Sequence, residues 1–93
     1  MIGVRQEVAA VVIDENWGIP MERIRQFFAR QPDAVQTENG FCCGDCRVTL
    51  TPLPGHTVGP WPMPRTRVQI EGTEEAAKAL HRKFFLRFLS AGG

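Results

Sequence analysis

The sequence lacks several features that would each have indicated a definite class of protein. No run of about 20 apolar residues is present, so we expect no membrane-spanning helix. The formal net charge is only +1, which removes the bulk attraction that draws proteins to nucleic acid or acidic membranes. The three cysteines are too few, and odd in number, for a disulfide scaffold. The N-terminus has no basic-then-apolar signal pattern, so we expect a cytoplasmic protein with reduced thiols.

All three cysteines fall between residues 42 and 46, and a β-type run follows them. A hairpin with the two-residue turn Gly44-Asp45 suits this segment, because glycine favours the first central position of a type II′ turn. In that register Cys43 faces Cys46 and Cys42 faces Arg47. Since side chains alternate across a strand, we expect Cys43 and Cys46 on the core face with Phe41, Val48 and Leu50, and Cys42 on the other face with Arg47 and Thr49.

The other elements are predicted from apolar spacing and from breaking residues. A helix is expected over about residues 20–31, between Pro20 and Pro32. The hairpin strands are expected over 35–43 and 46–53, and a third strand over 65–71. A second helix follows Thr73, a good N-cap, and runs to about residues 90–91, with 92–93 as a frayed end. Residues 2–16 fit either a helix or a strand, and the helix fits slightly better. No regular element fits the proline-rich connector over 54–64.

These elements predict one α+β domain over residues 1–93. Its expected architecture is a small two-layer domain, with a three-stranded, mainly antiparallel sheet packed by two or three helices. If residues 2–13 form a strand, the sheet has four strands and the layout is similar to a ferredoxin-type sandwich. A chain of this length buries about 60–65% of its unfolded surface, which is enough for one modest core.

The Cys43-x-x-Cys46 spacing is shared by zinc sites and thiol redox sites, but it is weak evidence alone. A structural zinc ion needs four ligands, and the candidate set is Cys42, Cys43, Cys46 and His56. The alternative is that the cysteines are small buried hydrophobes and no cofactor is bound. A nucleophilic pair of Cys42 with His56 or His81 is a further alternative. We expect His81 to be packed or half-exposed and the adjacent Asp14 and Glu15 to be solvated.

The last predicted helix carries the strongest indication of a partner. Its apolar residues cover more than the stripe of about 100° that one packed face needs, and they include Phe84, Phe85, Phe88 and Leu89. We therefore predict a homodimer that forms through this helix, with burial in a groove of the domain as the alternative. Trp61 and Met63 of the connector either fold over the sheet or form the rim of a site for a small apolar ligand or a protein partner.

Two functions of different classes follow from these patterns. The first is a small cytoplasmic binding or interaction module that self-associates through its C-terminal helix and has no catalytic chemistry. The second is a zinc-binding or thiol-redox protein centred on the segment from Cys42 to Cys46.

Overall fold

A computed structural model describes the backbone of residues 10–58 and 61–92, and all of their side chains except those of 55–58, 61–63 and 90–92. Five strands and two helices follow one another along this part of the chain. Their bounds are β1 Ala10–Trp17, α1 Met21–Ala29, β2 Ala34–Gln36, β3 Gly40–Cys43, β4 Cys46–Val58, β5 Trp61–Thr73 and α2 Glu74–Gly92.

The five strands form one sheet in the order β1-β5-β4-β3-β2, and every neighbouring pair is antiparallel. Both helices pack on one face of this sheet, because the buried side chains of the central strands all project to that side. The core consists of Ile24, Phe28, Phe41, Cys46, Val48, Leu50, Val68, Ile70, Ala77, Leu80, Phe84 and Phe88. The protein is therefore a two-layer α+β domain, with a polar sheet face opposite the helices.

The predicted sheet of three or four strands is wrong, since the described residues form a sheet of five strands; the two helices of this part of the chain agree with the predicted two or three. One reason is β1, for which a helix had been slightly favoured. Val11, Ile13 and Trp17 pack against the core, while Val12 on the other face is exposed. All eight residues of β1 pair with β5, so the long partner strand decides between two patterns that the local sequence satisfies almost equally. Residues 2–9 of the ambiguous segment lie outside the described residues.

A separate correction concerns the connector over 54–64, for which no regular element is expected: its described residues, 54–58 and 61–64, belong to β4 and β5. Strands β4 and β5 continue as a long hairpin, with a register irregularity between Leu53 and His56. Pro52 is tolerated here because its nitrogen, which has no hydrogen to donate, faces the β3 side of β4. The Leu50 amide faces that side, since it donates to the Asn39 carbonyl at 2.9 Å, and backbone groups two residues apart in a strand face the same side. Strand β3 pairs with β4 only as far as Thr49, so this proline costs no hydrogen bond within the sheet.

The second reason for the different number of strands is a chain reversal inside the predicted strand over 35–43. Strand β2 ends at Gln36 and pairs with β3 antiparallel, and the Thr37 amide donates to the Gly40 carbonyl at 2.8 Å. Asn39-Gly40 is a common turn dipeptide, and it was the local signal for this reversal.

The start of the last helix is as predicted. Thr73 caps α2, because its Oγ1 accepts a hydrogen bond from the Ala76 amide at 3.2 Å. Glu74 and Lys78 form the expected ion pair one turn apart, at 2.8 Å. No helix in the described part of the chain combines the length and apolar character needed to cross a membrane.

Candidate functional site

The hairpin turn holds the cysteines in the predicted register. Cys43 lies opposite Cys46 and Cys42 lies opposite Arg47, with Gly44 at a φ of 60° in the turn. This left-handed backbone conformation favours glycine, so the turn and the register follow from the local sequence. Cys46 is 5% exposed, whereas Cys42 and Cys43 are half-buried on opposite faces of the sheet.

The environment of the paired thiols favours their protonated form. Burial raises the pKa of Cys43, and the neighbouring Cys46 and Cys42 raise it further. Burial also raises the pKa of Cys46, with an additional contribution from the Asp45 carboxylate. Both thiols are therefore neutral at pH 7, which is typical of structural cysteines and unfavourable for a nucleophile.

The predicted zinc ligands are only partly brought together. Cys43 and Cys46 line one cavity of about 190 Å³ with Leu80, and Cys42 is on the opposite face of the sheet. Among the side chains that the structure describes, no group of three or more His, Cys, Asp or Glu residues could hold a metal ion. The side chain of His56 is outside the described set, although its backbone lies in β4 opposite Met63. The four-ligand site stays a prediction.

The apolar residues of α2 divide into two groups. Phe84 and Phe88 are 0% and 5% exposed and belong to the core. On the other side of the helix Phe85, Leu86 and Leu89 are 37%, 52% and 55% exposed. We call these last three residues the outer patch. Trp61 and Met63, the other predicted interface residues, are in β5, and their side chains lie outside the described set.

An aromatic cluster explains why Phe84 is internal. Its ring stacks on Phe28 with centroids 5.4 Å apart, and it meets the edge of Trp17 at 5.0 Å. Phe27 completes the cluster at 5.7 Å. The first helix, the first strand and the last helix therefore share one aromatic core, and one face of α2 is already occupied within the chain.

A polar contact that the sequence interpretation missed connects β1 with α2. Glu15, which was expected to be solvated, accepts a hydrogen bond from Trp17 Nε1 at 2.9 Å. The same oxygen lies 2.9 Å from His81 Nε2, which fixes the side of α2 that faces β1. Asp14 was also expected to be solvated, and on the other sheet face it forms an ion pair with Arg67. The ion pair depends on the pairing of β1 with β5, and the contact with His81 depends on the packing of α2 against β1.

A second feature that was missed is a cavity of about 230 Å³ between α1 and α2. Its lining includes Arg23, Arg30 and Arg87, together with Phe27, Phe88 and two glutamines. We call this the arginine cavity. The spacing of Arg23, Phe27 and the C-cap residue Arg30 places them on one side of α1, and this was the available sequence signal.

Comparison with known protein families identifies the family of this chain. The family model described as archaeal MoaD-like protein matches residues 12–93. No curated protein and no solved structure matches the chain. MoaD-like proteins are small ubiquitin-like β-grasp domains, and the sheet-on-helix layers described above are of that general design. Because the match extends over nearly the whole chain, this protein belongs to the archaeal MoaD-like family.

Proposed function

We propose that the protein is a small interaction domain that binds a second copy of itself through the outer patch of α2. The exposure of Phe85, Leu86 and Leu89 on one side of a single helix carries this proposal. Isolated apolar residues at a surface are ordinary, but three adjacent ones on one helical face form a contiguous patch.

The size of the patch indicates the strength of the association. Three partly exposed side chains of this kind present on the order of 250 Å² to solvent. A stable interface buries about 800 Å² on each partner, so the patch can only be the centre of a small interface. We therefore expect a weak dimer, with a dissociation constant on the order of 100 μM.

A second copy fits the patch because a helical stripe is complementary to itself. If two α2 helices pack antiparallel about a two-fold axis, Phe85 of one copy meets Leu89 of the other. Arg82 is on the same side of the helix and would then lie beside the end of the partner helix. The last turn of α2 contains no basic residue, so its partial negative charge has no compensation from its own side chains. An arginine from the second copy supplies that compensation.

The test is the molar mass at increasing concentration, measured by sedimentation equilibrium from about 10 μM to 1 mM. The wild type should move from the monomer mass toward twice that value. Leu89→Glu, which places a charge in the patch, should remain monomeric over the whole range. Val35→Ser is the matched control, because Val35 is 63% exposed but is located on β2, far from α2 in the sheet order. A wild type that remains monomeric at 1 mM contradicts the proposal.

The thiol pair supports a second candidate function, a zinc or redox site. The supporting observation is that Cys43 and Cys46 face each other and share a cavity. Metal analysis of freshly purified protein, combined with a thiol titration, tests this candidate. One zinc ion per chain, with thiols protected until a chelator is added, would favour it. Metal-free protein with three titratable thiols would exclude the zinc site.

A further inference from the structure

The arginine cavity concentrates one sign of charge in a way that the overall composition does not indicate. The chain has a net charge of +1, yet three arginines line this single cavity, and no lining residue is acidic. Arg23 comes from α1, Arg30 is the residue that caps the C-terminal end of α1, and Arg87 comes from the last third of α2. Two elements distant in sequence therefore bring the three charges together.

None of these three guanidinium groups pairs with a carboxylate among the side chains that the structure describes. Arg67 is different, because it is held by Asp14 at 2.6 Å. Like charges around one cavity repel one another, and the repulsion is stronger where water is partly excluded. A bound anion would remove this repulsion, whereas a neutral ligand would not.

The floor of the cavity is apolar. The Phe27 and Phe88 rings meet at a centroid distance of 5.8 Å and an angle of 68°, and the Arg87 guanidinium carbon is 6.0 Å from the Phe88 centroid. Gln31 Nε2 donates to the Phe27 carbonyl at 3.1 Å, which fixes the orientation of this lining side chain. The ligand should therefore combine an anionic group with a small apolar group.

We propose that the arginine cavity binds a small organic phosphate monoester. The three guanidinium groups hold the phosphate, and the apolar substituent packs on Phe27 and Phe88. A phosphate monoester has three terminal oxygens and up to two negative charges, so each of three guanidinium groups can bind its own oxygen. A carboxylate has two oxygens and one charge, and it would leave part of the site unused.

The volume of the cavity limits the substituent. At about 230 Å³ the cavity is smaller than the range of roughly 300–1,000 Å³ that is typical of sites for drug-sized ligands. A phosphate with one ring or a short chain is appropriate for this space. A nucleic acid backbone is not, because it needs a basic stripe rather than one small cavity.

The first experiment is a titration of the wild type with phenyl phosphate, inorganic phosphate and benzyl alcohol, followed by two-dimensional NMR at low salt. We expect saturable shifts at α1 and the end of α2 with phenyl phosphate, severalfold weaker binding of inorganic phosphate, and none of benzyl alcohol. Raising the salt concentration should weaken the binding. Equal affinity for the two phosphates would refute the role of the apolar floor. A lack of saturable binding of phenyl phosphate would refute the site.

The second experiment compares arginine variants. Arg30→Gln and Arg87→Gln should each weaken phenyl phosphate binding about five- to tenfold, because each removes one charge-assisted hydrogen-bonding group. The matched control is Arg25→Gln on α1, which removes the same charge from a residue that does not line the cavity. An equal loss of affinity in this control would show that only the general charge matters, and would overturn the proposal.

Discussion

Replacing Gly40 by alanine tests whether the hairpin packs as closely as the structure indicates. Gly40 is buried in β3, directly opposite Thr49 of β4. A Cβ atom at this position would lie 1.9 Å from the Val48 carbonyl oxygen and 2.8 Å from its carbonyl carbon. Both atoms belong to the backbone of the neighbouring strand, so no rotation of a side chain can relieve the overlap.

The expected change in the free energy of unfolding of Gly40→Ala follows from two opposing effects. Overpacking that moves the backbone typically costs about 1–3 kcal/mol, and a contact this short with a central strand belongs at or above the upper end. Alanine restricts the unfolded chain more than glycine does, which returns about 0.4–1 kcal/mol. We therefore expect a net loss of about 2–3 kcal/mol in the free energy of unfolding. A domain of this length has about 5–14 kcal/mol in total, so the variant should still fold.

Urea unfolding, monitored by circular dichroism and tryptophan fluorescence, measures the difference in stability between Gly40→Ala and the wild type. The midpoint should fall by about 2 M, with little change in the dependence of the free energy on urea concentration. Gly18→Ala is the matched control, because among the described atoms its Cβ would approach the Pro64 carbonyl oxygen at an ordinary contact distance of 3.9 Å. That variant should be neutral or slightly more stable than the wild type. If Gly40→Ala lies within about 0.5 kcal/mol of the wild type, β3 and β4 do not pack as described.

Two further predictions concern α2 and the thiols. Phe84→Ala should lower the free energy of unfolding by about 3–5 kcal/mol, and Phe85→Ala should lower it by less than half as much, because Phe84 is fully buried and Phe85 is not. Equal losses of stability in urea unfolding would contradict the assignment of the two residues to different faces of α2. The raised pKa values of the Cys43 and Cys46 thiols predict that stability falls as the pH rises from the ordinary thiol value of 9.0 through the folded-state values, because the unfolded state loses those protons first. Urea midpoints between pH 7 and 10 should show this fall in the wild type and a smaller one in Cys43→Ala, and a flat wild-type profile would contradict it.

The sequence by itself determined the features that depend on neighbours along the chain. The turn at Gly44-Asp45 sets the register of the cysteines, because a two-residue loop leaves little freedom in the pairing of the strands on either side. The N-cap at Thr73 and the first-turn pairing of Glu74 with Lys78 are likewise local, and the start of α2 was predicted correctly.

Tertiary structure decided the features that depend on distant partners. Residues 10–17 became a strand because β5 was available to pair with all of them, and the prolines of β4 were accommodated where β3 no longer pairs. The arginine cavity exists only because the end of α2 returns beside α1, some 60 residues later in the chain. The local preferences of such a segment for helix or strand differ by less than the free energy of burying one large apolar side chain. Long-range packing therefore determines which of the two structures the segment forms.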